Sequence, residues 1–253
     1  MPKPPEAIPD ELQHEFTMNF TIPIYPWYID DTVGEQSPVI WSKECIRIHQ
    51  EAFTNNNILE RKSSIVPLLP YHDADKHILE SISDISLNNY SIAVIGSITP
   101  WIEAILLNNG ATDITTVEFN VPIIDNHPFL KAIHYDNFAV SDRKYDYIFS
   151  YSSIEHSGLG RYGDPLNPNG DLETMSLIHS KLNKRLFLGI PIGQDSLVWN
   201  AHRIYGSRRL ELMLKGFEVV RWIGYRKEDV LDKLHENQSL MALQPLLVLD
   251  KNK

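Results

Sequence analysis

From Tyr90 onward, short apolar runs alternate with stretches whose apolar residues recur every three or four positions. The runs predict strands over Ser91–Ile95, Ile114–Phe119, Ala132–Tyr135, Tyr145–Tyr151, Arg185–Ile190, Phe217–Tyr225 and Pro245–Leu249. Helices are expected between them. Thr99, Pro100 and Glu103 suit the cap, first position and first turn of a helix that Gly110 stops. Leu172, Met175, Ile178 and Leu182 form a stripe near the 3.6-residue period, and helices are also expected over His202–Lys215 and Lys227–His235. Strands and helices joined by short loops predict an α/β fold: a Rossmann-like, mostly parallel seven-stranded sheet with helices on both faces. Either of the last two strands can run antiparallel, because no long crossover follows them.

Upstream the pattern changes. Pro2, Pro4, Pro5, Pro9, Pro23, Pro26 and Pro38 favour extended segments, yet Phe16, Phe20, Tyr25, Trp27 and Tyr28 are too apolar for a free tail. The arm is expected to lie across the body. A helix is expected over Ser42–Phe53, ended by Asn55-Asn56-Asn57, and another over Asp73–Ser83. Asp73 reads as its cap rather than as a metal ligand beside His72, Asp75 and His77. The expected organisation is an N-terminal arm with helices over 1–88, packed on an α/β domain over 89–253.

Composition narrows the partners. The formal net charge of −10 over 253 residues argues against a nucleic-acid backbone or an anionic membrane surface. Cys45, the one cysteine, excludes an internal disulfide. The first residues, MPKPPEAIPDELQHEF, lack an apolar core, and no run has the length of a membrane span. Together these predict a soluble, cytoplasmic protein with a small-molecule substrate. Nothing in the pattern bears on oligomeric state, and no metal site is expected.

The densest chemistry lies in Lys144–Glu173. An aromatic strand stops at Ser152-Ser153, Glu155 and His156 follow side by side, and a long polar loop then carries Gly158, Gly160, Gly163 and Gly170. Buried strand, adjacent acid and base, and polar loop together read as a site at the carboxyl end of an open sheet. Gly96, Glu118 and Asp136 stand where the first three strands end, so all three converge on the same crevice. Gly96 either lets a ligand approach the backbone or serves a tight turn. Glu118, about 20 residues further on, either suits the hydroxyls of a ribose or is a solvated charge at a strand end. Asp136 can accept from an exocyclic amine or start a turn.

These landmarks resemble the class I S-adenosylmethionine-dependent methyltransferases over roughly Tyr90 to Leu249. Ser91–Gly96 resembles their first motif, Val117-Glu118 the ribose-binding acid, Tyr135-Asp136-Asn137 the adenine-side acid, and Tyr145–Ser150 with Ile154-Glu155-His156 the fourth-strand motif. The segments GSITPWIEAILLNNGA, VEFN, YSSIEHSGLGRYGDPLNPNGDLE and WNAHRIYG resemble more closely a nematode-rich family of methyltransferase-like fold. The resemblance implies S-adenosylmethionine as cofactor, held by Gly96, Ser97, Glu118, Asp136 and Asn137, with Glu103 facing its amino group. The sequence departs from the pattern in three respects: the first motif keeps only Gly96 of its usual glycines, Val94 or Ile95 replaces the acid that often precedes the first glycine, and Trp101 stands near the expected methionine tail.

On the acceptor side His156 is the candidate base and Glu155 its orienting partner. Arg161, Tyr162 and Asp164 are expected to cover a polar substrate. Asn200, His202 and Arg203, with Asp195, Trp199 and Tyr205, form a second cluster. Asn200 and Arg203 either bind polar groups of the ligand or make structural bonds to the Glu155 loop. Two other classes remain: a non-catalytic binding protein on this fold, and a metal-assisted hydrolase using Glu155, His156, Asp164 and Asp171.

Overall fold

A computed structural model describes residues 3–32, 39–62, 68–69, 71–234 and 243–252. The N-terminal part forms α1 (Gln13–Phe16), β1 (Ile24–Trp27), β2 (Ile40–Trp41), α2 (Lys43–Ala52), α3 (Asn55–Glu60) and α4 (Ala74–Ser81). Next come β3 (Ile92–Ile95), α5 (Trp101–Asn108), β4 (Ile114–Glu118), β5 (Ile123–Ile124), β6 (Leu130–His134), α6 (Tyr135–Val140) and β7 (Tyr145–Tyr151). The chain closes with α7 (Gly170–Lys181), β8 (Leu182–Gly189), β9 (Ser196–Asn200), β10 (His202–Ile204), α8 (Ser207–Met213), β11 (Phe217–Ile223), α9 (Lys227–Val230) and β12 (Leu246–Lys251).

Seven strands form the central sheet in the order β6-β4-β3-β7-β8-β12-β11. Six of the strands run in one direction and β12 runs opposite to them. Both faces of the middle strands are covered, which is why they read as unbroken apolar runs. Alternate residues serve opposite faces. Ile92 and Val94 pack with Ile46, Ile78 and Ile105 of α2, α4 and α5. Ala93 and Ile95 pack with Met175, Ile178 and Leu210 of α7 and α8. From β3 the chain winds outward through β4 and β6, then returns to β7 on the other side of β3. That reversal opens a crevice at the carboxyl ends of β3 and β7.

The arm supplies β1 to a small second sheet. β1 pairs in parallel with β9, and β10 pairs antiparallel with β9. Phe16 meets Trp199 edge-on at 5.3 Å between ring centroids. No helix among the described residues is long and apolar enough to cross a membrane.

Several local expectations are corrected. Asn55-Asn56-Asn57 does not simply end a helix; it begins α3, whose cap Thr54 accepts from the Asn57 N–H at 3.2 Å. Asp73 precedes α4 with a positive φ and makes no capping bond, because its carboxylate pairs with Arg61. Pro100, not Thr99, precedes α5. The third strand stops at His134, and Tyr135 opens α6, where His134 Nδ1 accepts from the Asp136 N–H. Leu182 begins β8 rather than closing a helical stripe. Residues 202–204 are strand, and the helix expected from His202 starts at Ser207. The helix expected over Lys227–His235 spans only Lys227–Val230; His235 lies outside the described residues.

Candidate functional site

A cavity of about 720 Å³ lies at the carboxyl ends of β3, β4, β6 and β7. This falls within the usual range for small-molecule sites. Of the residues singled out in the sequence, Gly96, Glu118, Asp136, His156, Tyr162 and Asp164 line it. Ser97, Glu103, Asn137, Glu155, Arg161, Asn200, His202 and Arg203 do not.

On the β4 side the groups are open. Half-buried Glu118 accepts from the Phe119 N–H at 3.0 Å, and burial pushes its carboxyl up to about 7. Phe119 is half exposed and stacks on Tyr135 at 4.8 Å. Asp136 and Asn137 are exposed on the first turn of α6.

The β3 end is closed. Gly96 has φ +80°, and a Cβ there would lie 2.1 Å from Ser153 Oγ. The glycine therefore admits Ser153 from the loop after β7, which occupies the space expected for a ligand. Glu103 also differs from expectation. It is fully buried and faces the core, not the cavity. Its Oε1 accepts from Thr116 Oγ1 at 2.7 Å, and its Oε2 lies 2.9 Å from Ser97 Oγ. Ser97 Oγ has one proton and also lies 2.9 Å from the Thr99 carbonyl oxygen, which can only accept. Ser97 Oγ donates to Glu103 Oε2 and shares its proton with the Thr99 carbonyl, and burial pushes the Glu103 carboxyl up to about 7.

After β7, Ser152 takes a left-handed conformation with φ +53°, which costs a non-glycine residue energy and recurs at functional sites. Its Oγ donates to Glu155 Oε1 at 2.9 Å and accepts from Gln244 Nε2 at 3.1 Å. Glu155 is fully buried, its Oε2 has no partner, and burial pushes it up to about 7. His156 Nδ1 lies 2.6 Å from the Ala201 carbonyl oxygen, so Nδ1 carries the proton and donates. Its Nε2 is then a bare acceptor, 3.8 Å from Glu155 Oε1. Burial holds the ring down to about 3, so it is neutral at physiological pH.

The polar loop is fastened by its own residues. Asp164 accepts from the Gly158, Gly160 and Tyr162 amides at 2.7, 3.4 and 3.3 Å. Arg161 donates to Asp31 at 2.6 Å and lies over the Tyr162 ring. The second cluster is scaffold. Arg203 is buried and donates to the carbonyls of Glu155, Ser157, Asn167 and Pro168, the structural bonds held open in the sequence reading. Asn200 is buried and its Oδ1 accepts from the Ile29 N–H at 2.8 Å, tying the arm to β9. His202 packs between Trp27 and His156, and burial lowers it to about 4. Asp195 caps α8 through the Gly206, Arg208 and Arg209 amides. Asp171, fully buried, accepts from Arg209 and from the Tyr205 hydroxyl, and lies 3.7 Å from Arg203 Nε. The four side chains offered for metal-assisted hydrolysis are thus divided between cavity and scaffold. Among the described residues no group of three or more His, Cys, Asp or Glu is arranged to hold a metal.

Sequence reasoning missed Tyr71, Tyr135 and Ser152 as lining residues. Tyr71 arrives from outside the α/β pattern, and no local signal marks it. The Ser152-Ser153 pair at a strand end was the available signal for Ser152.

The strand order, the single antiparallel strand and a crevice at the switch point define a methyltransferase-like Rossmann fold. The chain belongs to the family described as Caenorhabditis protein of unknown function, DUF268, which matches residues 89–252. Among solved structures it is similar to 1,6-didemethyltoxoflavin-N1-methyltransferase of Burkholderia thailandensis, which holds 1,6-didemethyltoxoflavin and S-adenosylhomocysteine. That match has 10% identity and a TM-score of 0.51, covering 89% of this chain and 100% of the other. Magnesium protoporphyrin IX methyltransferase of Synechocystis PCC 6803 matches at 12% identity and a TM-score of 0.45, covering 81% and 99%. A Pyrococcus horikoshii protein assigned as an RNA methyltransferase matches at 12% identity and 0.47, covering 73% and 86%. At these identities the likeness is one of fold. No curated protein sequence matches the chain.

Proposed function

We propose that this protein is an S-adenosylmethionine-dependent methyltransferase acting on a small molecule with a polar acceptor group. The observation that carries the reading is Glu118 at the end of the second core strand, lining a cavity of about 720 Å³ at the switch point of this fold. The residues fit the adenosyl half of the cofactor. Glu118 offers a carboxylate to ribose hydroxyls, Phe119 and Tyr135 offer rings to a base, and Asp136 is exposed beside them. The methionine half would meet Thr99, Ser152 and Ser153 instead of Glu103 and an open glycine face.

Bound there, S-adenosylmethionine would supply an electrophilic methyl group. The chain's own task is to orient the acceptor and manage its proton. His156 Nε2 can only accept, so it aligns an N–H or O–H group. With its pKa near 3 it is a weak base; Glu155, near 7 and 3.8 Å away, is better matched to hold a proton at neutral pH.

Calorimetric titration with S-adenosylmethionine and S-adenosylhomocysteine tests the reading. We expect micromolar binding that Glu118→Ala abolishes while the protein stays folded. A second reading is favoured by Ser153 filling the Gly96 face and by Glu103 facing away from the cavity: a non-catalytic binding protein on this fold. Binding of neither ligand to folded protein would support that reading and overturn the first.

A further inference from the structure

The cavity's charge and surface define what it can admit besides a cofactor. Six aromatic side chains line it: Tyr71, Trp101, Phe119, Tyr135, Tyr151 and Tyr162. The only ionisable carboxylates among its described lining residues are Glu118, Asp136, Asp164 and Glu173, and no described lining residue is Lys or Arg. The stretches outside the described residues contain no Lys or Arg either, except Lys253 at the end of the chain. Arg161 is engaged by Asp31, lies over the Tyr162 ring and does not line the cavity, though its charge acts on Tyr71 and His156. Of the two histidines on the wall, His156 is held neutral by burial, and His134 accepts from the Asp136 amide through Nδ1.

An anionic ligand entering this space would give up its hydration with no cation to meet it, and would face carboxylates. Burying an unpaired charge is strongly unfavourable. A flat, uncharged or positively charged ring gains by stacking on the tyrosines, and a cation gains further from their faces. The bare acceptor at His156 Nε2 adds a directional demand. With Nδ1 committed to the Ala201 carbonyl, the ligand must bring the hydrogen.

We infer that the ligand of this cavity is a planar aromatic or heteroaromatic molecule that is neutral or cationic and presents an N–H or O–H to His156 Nε2, and that compounds of net negative charge are rejected. The inference rests on the methyltransferase reading only in treating that ligand as the methyl acceptor; the binding preference stands on the cavity itself.

Three matched probes test it on the full chain without cofactor: tyramine, p-cresol and 4-hydroxyphenylacetate. They share one ring and one phenolic hydroxyl and differ in charge. Binding is read by ligand-observed NMR and calorimetry up to about 1 mM, the limit of useful affinity for such small molecules. Tyramine and p-cresol should bind, with the carboxylate about tenfold weaker or undetected, a difference near 1.4 kcal/mol. Equal or tighter binding of 4-hydroxyphenylacetate, or no binding by any probe, overturns the inference. His156→Phe should weaken tyramine and p-cresol about tenfold by removing the acceptor, and Tyr162→Ala should weaken both by removing a wall. Unchanged binding in both folded variants would place the probes elsewhere and overturn it as well. Failure of the methyltransferase reading is seen separately: S-adenosylmethionine would then not bind, whatever the probes do.

Discussion

The β4 side and the loop after β7 carry similar residues and use them oppositely. Glu118 and Asp136 stand at the mouth of the cavity with few protein partners. Asp171, Arg203 and Arg209 are buried and bonded to one another and to loop carbonyls. A charged side chain whose partners all come from its own chain holds structure. One whose atoms face a cavity is available to a ligand. Residue type did not separate the two groups; the location of the hydrogen-bond partners did.

Asp171→Ala should break the buried side most severely. It leaves two guanidinium groups without their carboxylate, and removing one partner of a buried ion pair costs roughly 3–5 kcal/mol. Urea unfolding reads this directly. A loss below about 1 kcal/mol, the range of exposed pairs, would mean that the network is not the fastening described here. Gly96→Ala should cost roughly 1–3 kcal/mol through the clash with Ser153 and the positive φ. Adding Ser153→Gly should recover part of that loss. Additive losses in the double variant would show that Ser153 is not what the glycine admits.

Glu103 gives a pH signature. A carboxyl raised from 4.5 to about 7 stabilises the fold while protonated. Between these values the folded chain holds a proton that the unfolded chain has released, so stability falls as pH rises from about 4.5 through about 7. Glu103→Gln keeps hydrogen-bonding groups toward Ser97 and Thr116 and cannot ionise. It should flatten that slope and be more stable than the native chain by roughly 1–3 kcal/mol at pH 8. A slope unchanged by the substitution would assign it to Glu118 and Glu155, which are raised in the same direction. The smallest effect on stability belongs to the open side. Glu118→Ala, which should abolish cofactor binding, is expected to shift unfolding by less than about 1 kcal/mol.

Much of the fold could be read from the sequence. β3 and β7 are buried on both faces, so their residues are nearly all apolar or aromatic and their positions follow from local pattern. The start of α8 was misplaced because its cap is Asp195, which precedes it by twelve positions and reaches it only once β9 and β10 have folded back. His202–Ile204 was misread for a related reason: it is strand because β9 lies beside it. Sites were harder to read than strands. Glu103 stands at the right place in its helix, but one face of α5 looks into the core and another toward the cavity, and only packing against Thr116 shows which face carries it.

The order of hydrophobic and polar positions determined the strands, most of the helices and therefore the topology, because each depends on a short-range period that the chain carries within itself. The tertiary structure decided which of Glu103, Glu118, Asp171 and Arg203 face a cavity and which face one another, because a side chain's partner is set by distances between elements far apart in sequence.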